Sequence, residues 1–116
     1  MRVWCGLNKH PRSRFVGFDS FEGLPEDWLP GFPKGAFGTA GQLPDIPDIR
    51  VRFEAGWFQN TVPNFLSSDE QRADCPLIIH CDSDLYSSTL FCLASLNGII
   101  RTGTIIIFDE FGAVLD

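Results

Sequence analysis

Four short stretches carry the apolar density of β-strands: Arg14 to Asp19 (RFVGFD), Ile49 to Gly56 (IRVRFEAG), Pro76 to Asp82 (PLIIHCD) and Thr104 to Glu110 (TIIIFDE). The last two are unbroken apolar runs, the pattern expected of strands covered on both faces in a parallel sheet. Between them Leu85, Thr89, Leu93, Leu96 and Ile100 recur at spacings of three and four, which predicts a helix closed by Gly103. Strand, helix, strand with short joints reads as a right-handed crossover, so its two strands are expected to be neighbours. From Gly23 to Asp48 neither period is present, and proline and glycine are concentrated there. That segment predicts a long loop with one turn of helix at most, of the kind that serves as a lid or binding segment. After the second strand, GWFQNTVPNFLSSDEQ predicts a short helix, with Pro63 limiting where it begins. The alternation as a whole predicts an α/β fold built on one open, mostly parallel sheet, in a single domain spanning residues 1–116.

Composition narrows the partners. With 116 residues and 44% hydrophobic content the chain can bury one core. Nine Lys and Arg against 15 Asp and Glu leave a net charge of −6, which provides no footprint for nucleic acid or an anionic membrane. The expected partner is a small molecule, with assembly into a homo-oligomer left open. Cys5, Cys75, Cys81 and Cys92 are widely spaced without a CxxC pair, and Cys81 and Cys92 lie in apolar surroundings that suit reduced thiols. No run approaches a membrane span, and MRVWCGLNKHPRSR lacks a signal-peptide core. A cytoplasmic protein is expected.

The candidate chemistry lies where strands end. In open α/β sheets ligands bind at the carboxyl ends of the strands, and here those ends carry Asp19, Gly56, Asp82 with Asp84, and Asp109 with Glu110. If the third and fourth strands lie about 4.8 Å apart, Asp82 and the Asp109-Glu110 pair emerge side by side. Carboxylates so placed repel unless a cation joins them, and an all-oxygen set favours Mg²⁺, Ca²⁺ or Mn²⁺ over zinc. The competing role for these acids is helix capping, for Asp84 above all. Asp19, in GFDSFEGLP, is placed to accept the hydroxyls of a nucleoside ribose or to start a turn toward Gly23. Trp57 and Phe58, directly after Gly56, offer a stacking surface for a purine or else belong to the core. Tyr86 is open to both a site and a packing role, and His80, inside an apolar run, reads as a core histidine.

Taken in order, GFDSFEGLPEDW, VRFEAGWFQNTVPNFL, IIHCDSDLYSSTLFCLASL and GTIIIFDEFG resemble successive blocks of the macrocin O-methyltransferase family, covering most of the chain from Phe15 to Gly112. The resemblance implies a Rossmann-like, class I methyltransferase fold, S-adenosylmethionine as methyl donor, Mg²⁺ or another divalent cation, and methyl transfer to a hydroxyl of a sugar or secondary metabolite. Carried over residue by residue, it implies that Asp19 holds the ribose beside Ser20; Gly56, Trp57 and Phe58 are the further candidates for the cofactor site. It further implies Asp82, Asp109 and Glu110 as metal ligands and Asp84 as catalytic base. The family usually has aspartate where Glu110 stands, one methylene longer.

Methyltransferases of this architecture begin with a strand and a glycine-rich turn, and no such segment precedes Arg14. The expectation is therefore a chain truncated at both ends, with unpaired backbone groups at the sheet centre costing about 1–3 kcal/mol each; MRVWC is the candidate for a substitute strand. Two other readings compete with the transferase. One is an inactive remnant that serves as a binding module. The other is a DxD metal-dependent glycosyltransferase, which leaves DSFEGLP and the second acidic pair unexplained. The dehalogenase-type phosphatases want Gly-Thr after the second Asp, where this chain has Leu85-Tyr86.

Overall fold

The computed structural model describes residues 1–27, 29–68 and 75–109. The elements in chain order are α1 (Arg2–Leu7), β1 (Phe15–Asp19), β2 (Val51–Ala55), α2 (Phe58–Ser67), β3 (Ile78–Cys81), α3 (Tyr86–Leu96) and β4 (Ile105–Phe108). The chain divides into two compact units, Met1–Thr61 and Val62–Asp116. Each holds one two-stranded parallel sheet, β1 with β2 and β3 with β4. The four predicted strands are all present. Among the described residues they form these two pairs rather than one continuous sheet.

In the first unit, β1 and β2 pair in register from Phe15 opposite Val51 to Asp19 opposite Ala55. MRVWC, proposed from sequence as a strand, is helical instead. Strand alternation would put Val3 and Cys5 on one face, yet Val3 is 71% exposed and Cys5 is buried. The inward residues are Met1, Trp4 and Cys5, which share a helical face. The orphan carbonyls at the end of this short helix find a donor in Arg50. Its guanidinium donates to the carbonyls of Cys5 (3.2 Å), Asn8 (2.6 Å) and His10 (3.2 Å), pairs with Asp48 at 2.6 Å, and lies 5.0 Å over the Phe15 ring. Hydrogen bonds from the Arg50 side chain and backbone hold the Asp48 carboxyl down at about 2.

The proline-rich segment is a loop of turns and bends without helix among its described residues. It is tied to the turn after β1 by backbone bonds: Leu24 N–H to Ala36 O, Gly35 N–H to Leu24 O, and both Thr39 and Gly41 N–H to Phe21 O. Phe21 itself is buried and meets the Phe53 ring edge-on at 5.9 Å. Gly23 lets these strands of loop approach. It has φ +87°, and a Cβ there would sit 2.3 Å from Gly35 O and 2.4 Å from Ala36 O.

In the second unit, β3 and β4 pair from Ile78 opposite Ile105 to Cys81 opposite Phe108. The sequence expectation of strands covered on both faces does not hold for the described residues. Ile78 and Ile105, register partners on one face, are 46% and 53% exposed. The helix joining the strands ends at Leu96, with Asn97 as C-cap, and not at Gly103. Gly103, at φ +94°, belongs to a separate turn in which Thr104 N–H bonds Arg101 O. Of the predicted stripe, Leu85 is buried and Thr89, Leu93, Leu96 and Ile100 are half-buried. Pro63 does not limit the start of α2; it is the sixth residue inside the helix. The helix opens on Trp57 O, which accepts from Asn60 and Thr61 N–H. The carbonyl that Pro63 leaves without an i+4 donor belongs to exposed Gln59, where water can serve it. No helix among the described residues is long and apolar enough to cross a membrane.

Gly23→Ala should cost about 3 kcal/mol in urea unfolding, since backbone strain and overlap with two carbonyls add. Gly98→Ala, where nothing lies within 4 Å of the new methyl, should stay within about 0.5 kcal/mol. Equal effects at the two positions would show that the turn after β1 is not clamped as described.

Candidate active site

The register of the second sheet assembles the acidic cluster. One residue beyond the last pair, Asp82 stands opposite Asp109, and the Asp109 N–H still bonds the Cys81 carbonyl at 3.1 Å. Residues at the same level of a parallel pair project to the same face, and side chains alternate along each strand. Ile78, His80 and Asp82 therefore share a face with Ile105, Ile107 and Asp109. The Asp82 carboxyl is pushed up, first by partial desolvation and then by the Asp109 charge. Asp84 adds repulsion, and His80 opposes it.

His80 was read from sequence as a core residue. It is exposed, and its Nε2 lies 3.3 Å from Asp109 Oδ1. The period-two alternation of IIHCD held the signal: His80 and Asp82 are two apart and so face the same way. The N-cap of α3 is Leu85, which makes no side-chain cap hydrogen bond. Sequence reasoning also missed the polar brace behind the acids. Ser83 Oγ and Thr89 Oγ1 lie 2.7 Å apart, and Thr89 Oγ1 is 3.4 Å from the Ser83 carbonyl.

Two carboxyls at the same level of paired strands, one pushed up first by partial desolvation and then by its neighbour's charge, offer oxygen-only ligands that suit a hard divalent cation. Among the described residues no group of three or more His, Cys, Asp or Glu side chains is arranged to hold a metal ion. Glu110, the third predicted ligand, lies outside the described residues. The nearby thiols are unreactive at neutral pH: burial raises Cys81 and carries Cys92 to about 11, with Cys81 adding to the latter.

The predicted cofactor residues belong to the first unit. Asp19 is exposed at the end of β1, and its Oδ1 accepts the Phe21 N–H at 3.0 Å. Ser20 Oγ donates to Gly23 O and accepts from Glu22 N–H, so both side chains organise the turn. Oδ2 of Asp19 takes no hydrogen bond among the described residues. Gly56 N–H bonds Asp19 O at 2.9 Å, joining the ends of β1 and β2. At φ +142°, with Thr61 Cγ2 3.1 Å from where its Cβ would be, Gly56 has little room for a side chain. Trp57 and Phe58 are half-buried at the start of α2, and Tyr86, at the start of α3, is 80% exposed.

Residues 41–116, about two thirds of the chain, match the family model described as macrocin-O-methyltransferase (TylF). The chain belongs to the macrocin-O-methyltransferase family. Within curated proteins this family member is similar to a demethyldecarbamoylnovobiocin O-methyltransferase of Streptomyces niveus, 29% identical over 110 residues, covering 80% of this chain and 40% of the relative. The chain thus spans well under two thirds of that relative's length. No solved structure matches it. The family match includes β2, β3, α3, β4 and both aspartates, Asp82 and Asp109.

Because the Asp82 carboxyl is raised in the folded chain, folding favours its protonated form. Stability contributed by that proton is present at low pH and lost as pH rises from the unfolded value of 3.8 through the folded value. Asp82→Asn should therefore raise the unfolding midpoint of the metal-free protein at pH 7, with the advantage shrinking below pH 3.8, as read by thermal melts across pH. A variant less stable than wild type at pH 7 would show that the two carboxyls do not repel.

Proposed function

We propose that this chain carries the acidic site of an S-adenosylmethionine-dependent, Mg²⁺-assisted O-methyltransferase of Rossmann-like fold, acting on a hydroxyl of a sugar or other secondary metabolite. The observation that carries the reading is that Asp82 and Asp109 stand opposite each other at the carboxyl ends of two paired parallel strands, in a member of this family. Family membership and the O-methyltransferase name of the Streptomyces niveus relative support the reaction class.

In this reading Asp82, Asp109 and Glu110 would hold the cation, whose charge would lower the pKa of an acceptor hydroxyl. Asp84 would take the hydroxyl proton. Asp19 accepts a ribose hydroxyl of the methyl donor through Oδ2 while Oδ1 keeps the turn in place. Ser20 stands beside it, and Gly56, Trp57 and Phe58 border the donor. Transfer is an in-line displacement: the acceptor oxygen forms a bond to the methyl carbon as the bond from carbon to sulfur breaks, leaving neutral thioether. Much of its acceleration comes from alignment. The free thiols of Cys5, Cys81 and Cys92 fit a reducing, cytoplasmic setting.

Calorimetric titration separates the parts. S-adenosylmethionine should bind wild type, and Asp19→Ala should weaken it about 10–100-fold, the worth of a charge-assisted hydrogen bond. Mg²⁺ should give a binding heat that Asp82→Asn and Asp109→Asn abolish. Absence of donor binding with Mg²⁺ present would overturn the transferase reading in favour of a binding module that has lost the chemistry.

A further inference from the structure

The acids of this site need a restraint. Asp82 lies one residue beyond the last ladder pair, opposite Asp109, so its place depends on the linker between β3 and α3. That linker is only Asp82 to Leu85. Two features hold it. Leu85 is buried at one end, and in the middle Ser83, flanked by both aspartates, meets Thr89 through the 2.7 Å contact of their hydroxyls. Thr89 Oγ1 also reaches the Ser83 carbonyl, so one hydroxyl engages both the side chain and the backbone of the residue between the acids. Thr89 is a stiff anchor: its side chain is β-branched, and its N–H is fixed in the first turn of α3 by Leu85 O at 3.1 Å.

We infer that Thr89 is a positioning residue for the Asp82-Asp109 pair, acting through Ser83 to keep Asp82 opposite Asp109 in a geometry ready for a divalent cation. This rests on the metal-site reading under Proposed function. Thr89 touches no reacting atom; its effect is on affinity for the ion, as for groups that orient metal ligands elsewhere.

The test uses the full chain and Mn²⁺ alone, with unbound ion counted by electron paramagnetic resonance. Thr89→Val, which keeps the shape and removes the hydroxyl, should weaken Mn²⁺ binding about 10–100-fold, as should Ser83→Ala. Thr89→Ser should restore wild-type affinity, a rescue that loss of packing alone would not produce. Should Thr89→Val fail to fold, Ser83→Ala carries the same comparison. Wild-type affinity in both Thr89→Val and Ser83→Ala, or failure of Thr89→Ser to rescue a weakened site, would overturn the brace while leaving the metal reading intact. No Mn²⁺ binding by wild type, with Asp82→Asn as the matching blank, would overturn the metal reading and the brace with it.

Discussion

The parallel register of β3 and β4 is the constraint on which the acidic site depends. Pairing Ile78 with Ile105 fixes four register pairs through Cys81 and Phe108, so at the next level, four residues beyond the starting pair, Asp82 meets Asp109 on the same face. A slip by one residue would send one carboxylate to the opposite face and disperse the cluster. The chain therefore holds like charges together with the energy of a hydrogen-bonded ladder. Partial desolvation first, and then the Asp109 charge, raise the Asp82 carboxyl.

The first unit uses its polar residues differently. In DSFEGLP, side chains that would greet a cofactor also build the turn that presents them: Asp19 closes on Phe21 N–H, Ser20 on Glu22 N–H and Gly23 O. Phe21 then anchors the turn on Phe53, and the proline-rich loop ties itself to the same few residues. Structural and binding roles are not exclusive here, because a carboxylate has two oxygens and the turn occupies one. Arg50 does comparable work at the other end of the sheet, where a single guanidinium satisfies the carbonyls that end α1 and pairs with Asp48.

Apolar runs and acidic strand ends made all four strands and the pairing of the last two legible, because both signals are local. The same locality explains the misreadings. His80 looked like core because its neighbours are apolar, although the face of Ile78 and Ile105 on which it sits is open. Pro63 looked like a boundary, yet an exposed carbonyl one turn back tolerates the missing donor.

By itself the sequence determined the periodicity, hence which segments are strand or helix, and it carried the blocks that place the chain in its family. Only the tertiary structure decided that MRVWC is helical, that Thr89 reaches back to Ser83, and that His80 meets Asp109. Those outcomes turn on which segments stand within a few ångströms of one another. Hydrogen bonds and charges act over that range in space, whereas a sequence pattern records only distance along the chain.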